Sequence, residues 1–194
     1  MHEKYTTEGF VVGSRASREA DKILRVYTRD FGMVSGVLMG VRNIRSKLKG
    51  FTDTGLQVEV TLVKGKNAWR ITDMQALPPF RLSTENLPSF LRLLSLLSKL
   101  VQGEEKNEDL FESLSFAFQF LSKRKLSSDS LGSLELIGAL RILDSLGYGH
   151  EAPKNISIKG NITDADLLKT AENRPEITRS INQALSESQL MHKI

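Results

Sequence analysis

The sequence predicts an α+β protein of two domains, a five-stranded β-barrel over residues 1–80 and an α-helical bundle over residues 81–194. The hydrophobic side chains of the first domain alternate with a period of two, and after Pro78-Pro79 the period changes to about three and a half. The net charge changes sign at nearly the same position. Residues 1–83 carry fourteen Lys and Arg against eight Asp and Glu, a net charge of +6, and the remaining residues have a net charge of −2. This excess of positive charge on the barrel half indicates a polyanionic partner.

Five segments of the amino-terminal domain have the alternation of half-buried strands. The clearest is residues 56–62, in which every second side chain is aliphatic. The other four are residues 8–14, 22–28, 33–39 and 68–76. Glycines recur within and between these segments, as the bulges and sharp corners of a small closed barrel require.

Apolar residues at helical spacing continue through the carboxyl-terminal domain. The sequence predicts five helices: residues 87–101, about 108–125 with Asn107 as N-cap, about 130–146, one opened by the capping-box residues Thr163 and Asp166, and one from about Pro175. Gly147 supplies the left-handed residue that commonly follows the end of a helix. Residues 148–162 are expected to form a loop or a short hairpin.

A basic loop connects the third and fourth predicted strands. Residues 31–52 contain no acidic side chain, and four cationic residues lie in the second half of this stretch. Such a run is usually a solvated surface, but the loops and outer faces of small β-barrels commonly follow a nucleic-acid backbone. The predicted nucleic-acid-binding residues are Arg42, Arg45, Lys47 and Lys49 in the loop, with Arg15, Lys22, Arg25 and Arg70 on or beside the neighbouring strands.

Aromatic side chains that could stack on bases are few in this domain. Trp69 lies on a predicted strand shortly after a Lys-Gly-Lys turn, and it serves equally well as a barrel-packing residue or as a platform for a base. Binding that relies on phosphates with little aromatic contact predicts weak sequence preference and strong salt dependence.

The chain lacks the residue patterns of the common catalytic sites. It has no P-loop, no dinucleotide-binding glycine motif, no zinc-protease helix motif and no cysteine. Its three histidines are isolated, and Asp21, Asp30, Asp53 and Asp73 are scattered at strand ends, which is more typical of turn caps than of a two-metal site. We therefore expect a binding protein that is not an enzyme and that uses no catalytic residue, cofactor or metal.

The expected location follows from two features of apolar patterning. The opening residues lack the apolar core of a secretory signal, and the most apolar stretch, residues 87–101, is interrupted by Arg92 and Lys99. We therefore expect a cytoplasmic protein with no membrane partner.

Several short segments, taken in order, resemble the RecO family of recombination mediators. In the first domain they are residues 8–12 (EGFVV), Arg15, residues 19–24 (EADKIL), Tyr27-Thr28, Gly32 and residues 40–48. In the second domain they are residues 107–110 (NEDL) and residues 141–148 (RILDSLGY). Together the resembling regions extend over about three quarters of the chain.

The resemblance implies a fold, an activity and a set of partners. It implies that the barrel is an OB-fold that binds single- and double-stranded DNA and promotes annealing of complementary strands. It also implies partnership with RecR, indirect action on RecA by helping to load it on strands coated with single-strand-binding protein, and docking of that protein's C-terminal tail on the helical domain. The eight cations named above become DNA-binding residues on this interpretation.

The chain departs from the family pattern at three places. Many members carry a four-cysteine zinc module after the Leu-Gly-Tyr segment, whereas residues 148–161 contain no cysteine here, so the zinc module is absent. Ser17 stands where an aromatic residue is common, and Asp53-Thr54 stands where Pro-Phe is usual.

Two other functions are compatible with the same residues. An RNA-binding OB module would use the same cations. An interaction adaptor would use a groove between the leucine-rich helices, with the barrel only supporting it. Preference for RNA over matched DNA favours the first, and failure to bind either nucleic acid favours the second.

Overall fold

The computed structural model describes residues 3–43, 46–66, 68–79, 81–148 and 159–188. The chain divides into two compact units, called here the barrel unit and the helical unit. The barrel unit contains Met1–Arg81 and Gln102–Asn107, and the helical unit contains Leu82–Val101 and Glu108–Ile194. The barrel unit thus extends one residue beyond the boundary expected after residue 80, and the short segment Gln102–Asn107 also groups with it.

Five strands form a closed barrel in the order β1-β2-β3-β5-β4. The strands are β1 (Lys4–Ala16), β2 (Lys22–Thr28), β3 (Gly32–Leu38), β4 (Gln57–Lys64) and β5 (Trp69–Ala76). Neighbouring strands are antiparallel except β3 and β5, which are parallel. The predicted OB-fold barrel followed by helices is therefore confirmed.

Strand β1 is longer than the predicted segment 8–14 because it has two partners. Its first half pairs with β4 and its second half pairs with β2. A bulge between Val11 and Gly13 interrupts the pairing with β2, and bulges of this kind bend a strand and increase its twist. The bend lets one strand contribute to two sides of the barrel.

The barrel interior is filled by aliphatic side chains whose strand positions alternate as predicted. The buried cluster contains Val11, Leu24, Val26, Val34, Leu38, Val41, Leu56, Val58, Val60, Leu62, Trp69, Ile71 and Met74. The basic loop contains a short 3₁₀ helix, Lys47–Phe51, which the sequence analysis did not anticipate. Leu48 and Phe51 are half-buried against the core cluster, so the apolar side of this helix is attached to the barrel while Lys47 and Lys49 stay exposed.

The segment Gln102–Asn107 is bound to the barrel by backbone and side-chain contacts. The Met33 amide donates to the Gly103 carbonyl oxygen at 3.1 Å, and the Tyr27 hydroxyl donates to the Asn107 carbonyl oxygen at 3.3 Å. Lys106 lies 3.9 Å from the Asp30 carboxylate. Burial raises the pKa of the Tyr27 phenol well above its ordinary value.

The helical unit contains five helices among the described residues. They are α1 (Leu87–Leu100), α2 (Glu108–Lys123), α3 (Ser128–Ser145), α4 (Asp164–Glu172) and α5 (Arg174–Glu187). Helix α3 contacts each of the other four and forms the centre of the unit. None of these helices is long and apolar enough to cross a membrane. Most of the segment expected to be a loop or hairpin, residues 149–158, lies outside the described residues.

Two of the predicted helix termini are confirmed by their hydrogen bonds. The Thr163 hydroxyl accepts from the Asp166 amide at 3.3 Å, and the Asp166 carboxylate accepts from the Thr163 amide at 2.9 Å, completing the capping box. Gly147 has φ of +81°, and its amide donates to the Asp144 carbonyl oxygen at 2.9 Å. Both devices satisfy backbone groups that a helix end leaves unpaired.

Helix α3 carries a charged side chain in the interior of the helical unit. Arg141 is 1% exposed, and its guanidinium donates to the Gly160 carbonyl oxygen at 2.6 Å. Burial lowers the pKa of Arg141, and the neighbouring Asp166 carboxylate opposes that shift. The hydrogen bond connects Gly160, which precedes α4, to the central helix α3.

Close packing of α1 on α3 gives the first testable prediction. A Cβ at Gly138 would lie 2.6 Å from a methyl carbon of the buried Leu93, so Gly138→Ala should lower the free energy of unfolding by about 1–2 kcal/mol, because overpacking outweighs the helix propensity gained. Urea unfolding followed by circular dichroism measures the change.

Gly132 in the same helix is the matched control. A Cβ there meets only the end of the flexible Arg174 side chain, at 2.8 Å, so Gly132→Ala should be neutral or stabilising by up to about 1 kcal/mol. Equal unfolding midpoints for the two variants would contradict the close α1–α3 contact.

Candidate nucleic-acid interface

One row of paired residues crosses four strands on the outer face of the barrel. Arg15 of β1 pairs with Ile23 of β2, Ile23 pairs with Val37 of β3, and Val37 pairs with Arg70 of β5. Residues paired across a sheet present their side chains to the same face. The row therefore places two of the predicted cations, Arg15 and Arg70, on one continuous surface, which we call the strand face.

A second row beside it adds a third cation to the strand face. Gly13 of β1 pairs with Arg25 of β2, and Arg25 pairs with Ser35 of β3. This surface is the face of strands 2 and 3, with which OB-folds commonly bind oligonucleotides. The register thus assembles Arg15, Arg25 and Arg70 where an OB-fold contacts its ligand.

The strand face continues into the loop that contains Arg42. The Arg70 guanidinium lies 3.1 Å from the Met39 sulfur, and Met39 is 56% exposed although it is a large apolar residue. The next residue, Gly40, donates its amide to the Asp21 carboxylate at 2.8 Å in the β1–β2 turn. These contacts place the start of the basic loop against that turn.

Arg42 is bound to the β1–β2 turn. Its amide donates to the Ala20 carbonyl oxygen at 2.9 Å, and its guanidinium donates to the Arg18 carbonyl oxygen at 3.3 Å. Arg18 is itself exposed on the turn and adds a cation that the sequence analysis did not select. Only the fold brings Arg42 to the β1–β2 turn and so to Arg18, and no local sequence signal distinguished Arg18.

Lys22 occupies a different position from the strand-face cations. Its ammonium group donates to the Thr52 hydroxyl at 2.9 Å, and that hydroxyl donates to the Lys49 carbonyl oxygen at 3.2 Å. Lys22 therefore attaches the end of the 3₁₀ helix to the start of β2. Lys47 and Lys49 remain exposed on that helix, and Arg45 lies outside the described residues.

The exposed cations are not neutralised by carboxylates of the described chain. Among those residues, no ion pair to Asp or Glu involves Arg15, Arg42, Lys47, Lys49 or Arg70. Lys64 differs, because it lies 3.4 Å from the Glu104 carboxylate of the segment Gln102–Asn107. Lys66, in the β4–β5 turn, is exposed and was also not selected from the sequence.

The scattered aspartates do not come together. Asp21 accepts from Gly40, Asp53 lies 3.3 Å from the Arg81 guanidinium, and Asp73 accepts from the amide of the next residue. No group of three or more potential metal ligands is found within the described parts of the chain. Each of these carboxylates accordingly has a local structural partner.

Trp69 belongs to the barrel core. Its side chain is 4% exposed and lies in an aromatic cluster, with ring centroids 5.9 Å from Tyr5 and 5.5 Å from Phe31. The Lys64 ammonium lies 5.0 Å from the indole centroid, a cation–π distance. Of the two roles left open by the sequence, the structure selects packing, because the side chain is almost entirely buried in the core cluster.

Comparison with known proteins gives a consistent result for the barrel. Residues 1–80 match the family model described as Recombination protein O N terminal. Among curated relatives, the DNA repair protein RecO of Chlorobium phaeobacteroides is 35% identical over 56% of this chain and 43% of its own length. The DNA repair protein RecO of Prosthecochloris aestuarii is 30% identical over 86% of this chain and 62% of its own length.

The chain matches only part of the length of each of these relatives. A third, the DNA repair protein RecO of Chlorobium limicola, is 28% identical over 73% of this chain and 55% of its own length. The chain thus spans about half the length of the curated relatives it matches. A solved asparaginyl-tRNA synthetase of Entamoeba histolytica aligns with TM-score 0.34 and 12% identity over 75% of this chain and 32% of its own, which is too weak a likeness to indicate a shared fold.

Burial of Trp69 is testable because it is the single tryptophan of the chain. We expect the emission maximum of the native protein to lie at a shorter wavelength than that of the urea-unfolded protein, because the indole is 4% exposed. For the same reason, we expect acrylamide to quench the native fluorescence only weakly. Addition of an oligonucleotide should leave protection unchanged. Strong static quenching by the oligonucleotide would show instead that the indole leaves the core to stack on a base.

Proposed function

Because this chain belongs to the RecO family, we propose that it is a DNA repair and recombination mediator, not an enzyme, that binds single- and double-stranded DNA through backbone phosphates and promotes annealing of complementary strands. The observation that carries the proposal is the strand face, where Arg15, Arg25 and Arg70 lie together on an OB barrel. Arg42 extends this positive surface to the β1–β2 turn.

Phosphate contacts of this kind suit annealing. Arginine donates to phosphate in a planar, two-pronged geometry, and such contacts hold a strand without reading its bases. Two complementary strands repel each other through their phosphates, and bound cations reduce that repulsion and release condensed counterions. Holding two strands by their phosphates breaks and forms no covalent bond, so the proposed activity needs no nucleotide, cofactor or metal.

The proposal includes the partners implied by the family. We propose that the chain acts in the cytoplasm with RecR, binds the C-terminal tail of single-strand-binding protein through the helical unit, and by this means helps load RecA on coated DNA. A concavity of about 220 Å³ in the helical unit supports the tail interaction. It is lined by Phe116, Gln119, Phe120, Lys123, Arg124, Asn161 and Ile162.

The chemistry of this concavity fits an acidic peptide that ends in an aromatic residue. The Arg124 guanidinium lies 4.7 Å from the Phe120 ring centroid and also pairs with Asp164. Lys123 is exposed, and Phe116 is half-buried beside it. Apolar rings can receive the aromatic side chain of the peptide while the ammonium group attracts its carboxylates.

The function is tested by salt-dependent DNA binding and strand annealing with two sets of alanine variants. Each lost phosphate contact should flatten the slope of log K against log salt by about 0.7 on single strands. Replacing Arg15, Arg25 and Arg70 should therefore flatten it by about 2, and replacing Arg42, Arg45, Lys47 and Lys49 by about 3, with slower annealing in both cases.

Lys99→Ala and Lys169→Ala, which remove cations from the helical unit, serve as charge controls and should leave the slope unchanged. An unchanged slope in the strand-face variant would remove that surface from the DNA site. Tighter binding of RNA than of matched DNA, without annealing activity, would replace the proposal with an RNA-binding function.

The tail interaction gives a separate prediction. Lys123→Ala should weaken binding of an acidic, Phe-terminated peptide by about three- to ten-fold, because one charged contact is lost at a partly desolvated site. Lys99→Ala is the matched control, since it removes an exposed lysine near the end of α1. Isothermal titration measures both, and equal affinities for the two variants would contradict peptide binding in this concavity.

A further inference from the structure

The strand face contains an open concavity of about 330 Å³. It is lined by Gly13, Ser14, Arg15, Ile23, Arg25 and Ser35. Its volume lies near the lower end of the range of small-molecule sites, about 300–1,000 Å³. It can therefore receive one planar group of moderate size, but not a stack of several.

The concavity exists because β1 has a glycine where its neighbours have side chains. A Cβ built on Gly13 meets no atom within 4 Å, so the space above this residue is open. The bulge between Val11 and Gly13 lies at the same point of β1. Glycine within a strand commonly marks a bulge or a place where a ligand approaches closely.

The lining residues combine apolar contact, planar cations and a hydroxyl group. Ile23 is half-buried between the paired positions Arg15 and Val37 and offers an aliphatic surface. Arg15 is exposed, and its guanidinium makes no hydrogen bond or ion pair with the described residues. The guanidinium plane of arginine stacks on nucleobases and also donates to phosphate. The Ser35 hydroxyl can donate to or accept from a base edge.

We propose that this concavity is a subsite for one unstacked nucleobase of a single strand, with the flanking phosphates on the strand-face arginines. The inference rests on the proposed DNA-binding function. It adds a determinant of preference for single strands, which phosphate contacts alone do not provide. A base can enter only if its face is free, and extruding a paired base from a duplex costs a few kcal/mol. The subsite consequently favours single strands over duplexes.

The charge around the concavity is the reason to assign it to a nucleic acid. Three arginines lie on the strand face, and among the residues that the structure describes no Asp or Glu lines the concavity. A base reaches such a site with a phosphate on each side, and the concavity has two arginines, Arg15 and Arg25, in its lining. An apolar protein side chain could fill the same volume, but it would offer no acceptor to the Arg15 guanidinium, which makes no hydrogen bond or ion pair with the described residues.

The test fills the concavity without removing a charge. Gly13→Leu places a side chain in the open space, and Gly13 does not have a positive φ, so the backbone accepts the substitution. We expect the Kd for an oligothymidylate to rise by about five-fold or more, corresponding to loss of one stacked base. The Kd values for a duplex and for an abasic strand of equal length should change by less than about two-fold, with unchanged salt slopes.

Two further variants support the interpretation. Ser35→Leu fills the concavity from β3 at an exposed position and should have the same selective effect. Gly103→Leu is the matched control, because a Cβ there also meets no atom within 4 Å and Gly103 does not line the concavity. Urea unfolding midpoints establish that all three variants are folded.

Each outcome has a definite meaning. Unchanged oligothymidylate affinity in folded Gly13→Leu and Ser35→Leu overturns the subsite, and so does an equal loss for abasic strands and duplexes. Loss of RecR binding with intact DNA affinity also overturns it and assigns the concavity to a protein contact. If the wild-type chain shows no salt-sensitive binding to any of these nucleic acids, the proposed function fails, and the subsite fails with it.

Discussion

Closure of the barrel through β3 and β5 is the constraint on which the candidate site depends. These strands meet in parallel over three residue pairs, Gly36–Trp69, Val37–Arg70 and Leu38–Ile71. A Cβ at Gly36 would lie 2.7 Å from the Ile71 side chain, so a larger residue there would push the strands apart. Because the contact brings Arg70 beside Val37, it joins β5 to the row that begins at Arg15.

The cations of the barrel unit have distinct physical roles. Arg15, Arg25 and Arg70 are carried by strands, whose register holds them on one face. Lys22 instead attaches the 3₁₀ helix through Thr52. Side chains on rigid strands lose less freedom when a ligand binds than side chains on loops, which favours the strand face as the centre of the candidate interface.

Much of the fold was predictable because it follows from local periodicity. Alternation in residues 56–62 identified β4, and the capping pair Thr163 and Asp166 identified the start of α4. The 3₁₀ helix was not predictable, since five residues are too few to define a helical period. The attachment of Gln102–Asn107 to the barrel was also invisible, because it depends on contacts such as Met33 to Gly103 that are distant in sequence.

The sequence by itself determined the chemical character of this protein: a basic barrel, a helical unit and a charge balance suited to a polyanion. These properties follow from composition and short-range pattern, which do not depend on how the strands pair. Only the tertiary structure decided which cations share a surface, that Trp69 packs in the core, and that Gly13 opens a concavity between Arg15 and Arg25. Register and barrel closure set these positions, because a shift of one residue in any strand would turn its side chains to the opposite face.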